Sequence, residues 1–341
     1  MDMNSYAPLQ RIFLFGPTQS GKDWLIRGFA KEVEQTNLND RLSFYYRLQE
    51  VIDEEVLIAA EVFPPINIPG TLRPNDIRYV FTREPKDKKN EEYRFSHYIV
   101  VYNNKGDNLI NALLDPDNNL HDFNLLESAR NFIVVVGPPE NELLNYQPKS
   151  INIPEENFPQ DPFAVIQEQE RSKFDPQPEY DVTRFTVSKY ERVIRELLNR
   201  LRNKQPKRNV AICMTKADQD GLLWRDPNRY FFSTFPNLKS EIESFKSAGH
   251  NLKIFRSSAA GMLQRMDSLG RRVEEANFEV GELKDPEKWK PQGNAQPFYW
   301  IFQTIEKEAI KESQKGFKGF LRGLIKNNED YPPYPGLRQD D

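Results

Sequence analysis

The sequence predicts an α/β protein, three layers deep, with a mainly parallel sheet flanked by helices. Three observations carry that expectation. Short apolar runs recur along the chain and alternate with helical patterns, which is how a layered sheet with crossover helices reads. Several of those runs ("FIVVV", "VAICM", "LKIFRSS") lack polar alternation, as strands covered on both faces do. Finally, a glycine-bounded loop joins the first run directly to the first helical pattern.

Taken in order, "RIFLF" ends at Gly16, and Trp24 to Val33 carries Leu25, Ile26, Phe29 and Val33 at helical spacing. "LSFYYRL" and "VLIAAEVF" then flank the carboxylate cluster Glu50 to Val56, read as a solvated face or a helix start. "PPINIPGTLRP" breaks any regular pattern and is a loop. "DIRYVFTRE" and "YRFSHYIVVY" form a hairpin with the polar tip "PKDKKNEE". The stretch from about Pro138 to Asp181 is rich in Pro, Gln, Asp and Glu and is expected to be a surface insertion. In "VSKYERVIRELLNRLRN", Tyr190, Val193, Ile194, Leu197, Leu198 and Leu201 share one stripe, an amphipathic helix. A loop near Gly281 leads to a last helix, "QPFYWIFQTIEKEAIK". The organisation expected is an extension over 1–10, one domain over 11–312 with its insertion near 138–181, and a tail over 313–341.

Composition narrows the functional classes. In 341 residues, 47 Lys plus Arg against 51 Asp plus Glu leave a net charge of −4, which argues against general nucleic-acid binding. The single cysteine, Cys213, excludes an intramolecular disulfide, and the opening residues have neither a basic nor an apolar export pattern. These features indicate a cytoplasmic setting. No apolar run reaches the ~20 residues that span a bilayer, so membrane contact is expected to be peripheral only. His97, His121 and His250 are widely separated, and no structural metal is expected.

The loop Gly16, Pro17, Thr18, Gln19, Ser20, Gly21, Lys22 fits the phosphate-cradling pattern GxxxxGK, with Asp23 where Ser or Thr is usual. Between strand and helix, such a loop presents backbone N–H groups at the positive end of the helix dipole, and Lys22 would reach terminal phosphates. Two later stretches follow strands: Thr215, Lys216, Ala217 and Asp218 after "VAICM", and Ser258, Ala259, Ala260 and Gly261 after "KIFRS". One carboxylate can accept both the ring N–H and the exocyclic amine of guanine, a donor pair adenine lacks.

In order and spacing these motifs resemble those of the Ras-like, TRAFAC-type P-loop GTPases, most closely the bacterial double-GTPase proteins of multi-gene conflict systems. The resemblance spans roughly Arg11 to Ile310 and implies a three-layer P-loop GTPase fold that binds GTP or GDP with Mg²⁺. It implies that Gly16 to Lys22 hold the phosphates, that Lys216 and Asp218 flank the base, and that Ser258 to Ala260 meet the guanine oxygen. It also puts Thr71 in the first switch, facing Mg²⁺ and the γ-phosphate; an ordinary turn threonine is the alternative. Asn103 and Gly106 stand where the family has DxxG, so the metal positions would be Asp23, Thr71 and Asn103, departures from the family pattern. Asp107 follows Gly106, and the water-positioning glutamine of Ras is missing. The readings left open are a slow or partner-dependent GTPase switch, an inactive pseudo-GTPase scaffold, and a P-loop small-molecule kinase. Loops near Thr71 and Gly106 would contact a protein partner. In the tail, Phe317, Phe320, Leu321, Leu324 and Ile325 share a helical face ringed by Lys315, Lys318, Arg322 and Lys326. That face would order against a partner, a membrane surface or its own domain, and "YPPYPG" beyond it suits an aromatic groove or a disordered end.

Overall fold

The computed structural model describes residues 11–17, 20–39, 42–52, 55–58, 77–86, 94–101, 110, 113–115, 129–139, 186–220, 226–266, 268–278, 283–317, 334–335 and 337. Strand β1 (Arg11–Phe15) runs into the glycine loop and helix α1 (Lys22–Asn37). There follow β2 (Phe44–Ile52), β3 (Glu55–Ile58), β4 (Ile77–Pro85), β5 (Phe95–Val101) and β6 (Asn131–Val136). Helix α2 (Val187–Arg202), β7 (Asn209–Met214), α3 (Pro227–Thr234), α4 (Lys239–Ser247) and β8 (Asn251–Arg256) complete the sheet region. Strands β9 (Met262–Met266) and β10 (Arg272–Ala276) then precede the last helix, α5 (Gln296–Phe317).

The main sheet has the order β3-β2-β4-β5-β1-β6-β7-β8. Strands β5, β1, β6, β7 and β8 pair in parallel, whereas β4 with β5, β2 with β4 and β3 with β2 pair antiparallel. The mainly parallel three-layer α/β architecture expected from the sequence is therefore present.

Side-chain alternation sends successive residues of one strand into opposite layers. On β1, Ile12 and Leu14 join a core with α1 and α5, while Phe13 and Phe15 join a second core with α2, α3 and α4. Every residue of β6 and β7 is buried, because both of their faces are covered. The stripe read on α2 is buried as expected, and Thr186 caps that helix by accepting from Lys189 N.

Two sequence expectations change, and two elements add to what was read. The carboxylate cluster is not a helix start: Glu50 lies in β2, which ends at Ile52, and Glu55 opens β3 opposite Ile52, so an extra antiparallel hairpin extends the sheet edge. The stretch between Gly261 and Gly281, unassigned above, contains the β9–β10 hairpin. Helix α5 runs to Phe317, past the tail boundary placed at 313. In "YPPYPG", Tyr334 is neither a free ligand nor a loose end: it is 1% exposed and sits among Tyr46, Phe81, Tyr299 and Phe302. The Pro138 to Asp181 insertion beyond residue 139, His121, and the tail face from Lys318 to Lys326 lie outside the described residues.

Candidate functional site

The glycines of the loop answer to particular obstacles. A Cβ on Gly16 would lie 2.4 Å from Val135 O and 2.8 Å from Ser20 Oγ. Gly21 has φ +92°, a left-handed conformation that favours glycine, and its missing side chain faces Thr215 Oγ1. Gly137, just past β6, leaves room for Ser20 Cα and donates its N–H to Tyr190 Oη at 3.0 Å. The turn closes with Ser20 N donating to Pro17 O at 3.1 Å, and α1 begins with Leu25 N donating to Gly21 O at 2.9 Å. No side chain caps α1. A helix start without a side-chain cap, lying over a glycine loop, is suited to an anion.

Lys22 is 7% exposed and folds its ammonium across this loop, donating to Gly16 O at 2.6 Å and Pro17 O at 3.0 Å. Its charge is thus held by carbonyl dipoles at the loop itself. Asp23 stands in the first turn of α1, next to it. Thr18, Gln19, Thr71, Asn103, Gly106 and Asp107 lie outside the described residues, so of the three expected metal positions only Asp23 is placed.

Thr215 joins two of the motifs. Its backbone N–H donates to Val136 O at 2.9 Å, and its hydroxyl donates to Ser20 O, so the end of β7 is bonded to the glycine loop. Lys216 takes φ +56°, unusual for a side chain with a Cβ, and burial pushes its ammonium pKa down while Asp218 opposes that shift. Asp218 is 7% exposed, within a short 3₁₀ turn at Ala217–Asp220.

A second bond joins the other pair of motifs: Ala217 N donates to Ser257 O at 3.1 Å. Ser258 is fully buried, and its hydroxyl accepts from Gly261 N at 2.9 Å. Its backbone exchanges bonds with Gln292, 2.9 Å from N to O and 2.8 Å in return. Trp289 Nε1 donates to Ala259 O at 2.7 Å, and Ala260 is buried beside it. The loop and both later motifs therefore meet at the carboxyl ends of β1, β7 and β8, where ligand crevices of open α/β sheets form.

The supporting residues were missed in the sequence. Glu32, deep on α1, accepts from Asn294 N and Nδ2 with one oxygen and from Ala295 N at 2.8 Å with the other. Burial raises its carboxyl pKa, and those donors oppose the shift. Asn294 in turn donates to Ser258 O at 3.0 Å, so one carboxylate positions the segment that backs Ser258. Gly28 admits this amide, since a Cβ there would meet Asn294 at 2.5 Å. A glycine inside an otherwise good helix was the available signal. Cys213, read as inert, is fully buried with its thiol pKa pushed up to about 12 by burial.

No protein-family model and no curated protein matches the chain. Among solved structures, the chain is 12% identical to the Arl6 (BBS3) small GTPase of Trypanosoma brucei with a bound nucleotide analogue, GppNp, over 74% of this chain and 88% of that one, with a TM-score of 0.33. The GDP-bound Roco2 RocCORdC of Methanosarcina barkeri is also 12% identical, over 75% of this chain and 45% of that one, TM-score 0.27. The GTP-bound GTPase-like domain of S. cerevisiae Ski7 is 12% identical over 89% and 52%, TM-score 0.33.

Proposed function

We propose that this chain is a guanine-nucleotide-binding, GTPase-like switch or regulator. The observation that carries the reading is the bond from Thr215 to Ser20 O, which ties the segment bearing Asp218 to the phosphate loop. In the proposed complex, Gly16 to Lys22 receive the phosphates, the Lys216 stem packs on the base, and Asp218 accepts from the guanine edge. Ser258 to Ala260 close the far side. Mg²⁺, when bound, would neutralise phosphate charge, held by Asp23 with Thr71 and Asn103 as the other candidates. Within that set, a carboxylate (Asp23) stands where a hydroxyl is usual and an amide (Asn103) where a carboxylate is usual, which makes hydrolysis slow or partner-dependent. The inactive scaffold is the alternative reading. A P-loop kinase leaves the buried Asp218 and Ser258 segments without a role. Partner contacts through the loops near Thr71 and Gly106 and through the tail, peripheral membrane contact, a cytoplasmic setting and the double-GTPase affiliation belong to the same proposal. Among the described residues, no helix is long and apolar enough to cross a membrane.

Thermal denaturation with saturating nucleotide tests the assignment. A ligand at 100 times its dissociation constant stabilises by about 2.7 kcal/mol, or roughly 4 °C at this size. GDP and GTP should give that shift and ATP should not; equal shifts would remove the guanine reading. For the metal, GTP should bind tightly with Mg²⁺ and weakly in EDTA. D23S should lose that dependence and D23S/N103D should recover it.

A further inference from the structure

The β9–β10 hairpin leaves the domain directly after Ser258 to Ala260 and returns at Asn277, whose N–H donates to Gly261 O at 3.0 Å. It is a separate two-stranded sheet, with Arg272 opposite Met266 and Ala276 opposite Met262. Its outer part is turned to solvent: Met266 is 65% exposed, Leu269 73% and Val273 41%. A two-stranded ribbon is marginal in water and gains from further strands. Among the described residues no strand lies along the outer side of β10.

Proteins blunt such edges with charge, and here the charge is ordered. The segment reads Arg271, Arg272, Val273, Glu274, Glu275, so inverting its direction about Val273 places acid where there was base. Antiparallel pairing of two copies centred on Val273 sets Arg272 against the second copy's Glu274, Glu274 against its Arg272, and the two valines against each other. Opposite charges directly across antiparallel strands are favourable, and no like charges stand directly opposite in this register. Two bases and two acids make the segment neutral, which suits a second copy instead of a polyanion or an anionic membrane. Glu275 already pairs with Arg265 at 2.6 Å and lies 3.6 Å from Lys284, and Glu274 accepts from the neutral amide of Gln264 at 3.4 Å, so the new charge pairs across the axis fall to Arg272 and Glu274, with Val273 between them.

We propose that β10 is a self-pairing edge through which two copies of this chain associate about a two-fold axis at Val273, forming a four-stranded sheet. The contact is isologous and small, so the dimer is concentration-dependent. The proposal does not depend on the nucleotide reading.

Sedimentation velocity of the full chain, from about 1 to about 200 µM, reads the association directly. Wild type should shift from monomer to dimer over this range. R272E should weaken association at least tenfold, and R272E/E274R, which restores opposite charges across the pair, should recover it. Because Cys213 is buried, V273C supplies the reactive thiol and should form a covalent dimer under mild oxidation, whereas S268C at the hairpin tip should not. Circular dichroism melts confirm that each variant is folded. A wild type that stays monomeric throughout, an R272E that dimerises as wild type does, or a folded double variant that stays monomeric would each overturn the proposal.

Discussion

Charge is buried in two places on this sheet, and they are handled in opposite ways. At the glycine loop, Lys22 donates to the carbonyls of Gly16 and Pro17, beside a helix whose N-cap is Gly21. Toward the other sheet edge, Glu306 on α5 is fully buried and receives three side chains: Arg83 at 3.0 Å, His97 at 2.7 Å and the hydroxyl of Tyr334. Arg83 lies over the rings of Phe44 and Tyr334, at 4.0 and 4.5 Å, and His97 stacks on Phe302 at 4.3 Å. The second cluster is a closed circuit, its acid matched by a base in the same core. At the loop the positive charge meets backbone dipoles, an arrangement that gains from an anion. If the loop is the open, anion-binding side of this contrast and the Glu306 circuit the closed, stabilising one, each has its own signature.

The comparison predicts different failures. Glu306→Ala leaves the Arg83 guanidinium buried without its carboxylate, and chemical denaturation should show a loss of about 3–5 kcal/mol. A loss under 1 kcal/mol would mean that the circuit is not closed. Lys22→Ala should do the reverse: nucleotide affinity by calorimetry falls roughly 10- to 100-fold, as charge-assisted bonds worth about 1.5–3 kcal/mol disappear, while stability barely changes. If both affinity and stability stay put, the loop is not a phosphate site. Asp218→Asn sharpens the open end further, lowering GDP affinity several-fold and improving XDP, with unchanged values for both removing Asp218 from the base contact. The smallest effect sits outside both regions. Thr186→Ala deletes the cap of α2 and should cost about 1 kcal/mol by denaturation, with nucleotide affinity untouched.

The two regions also differed in how far they could be read in advance. The loop and its partners are local words: GxxxxGK, TKAD and SAAG each fit in a few residues, and each follows an apolar run that had to be a strand. The Glu306 circuit left no such trace. Arg83 and His97 fall within the two strands of a hairpin and Glu306 within the last helix, and nothing in those stretches points from one to another. Residues 223 positions apart, as Arg83 and Glu306 are, have no local spacing to betray them. Glu32 escaped for the same reason, since its partners Asn294 and Ala295 lie 262 and 263 positions away.

By itself the sequence determined the layered α/β class of the domain, because side-chain period and apolar runs are properties of neighbouring residues, and it marked one loop as the candidate anion site, because glycine spacing is local too. Tertiary structure alone decided that Thr215 would fasten to Ser20, that Glu32 would hold the segment behind Ser258, and that Tyr334 would close over Glu306. Those contacts depend on where distant segments dock. Docking is set by the whole sheet bringing its faces together, which no window of a few residues contains.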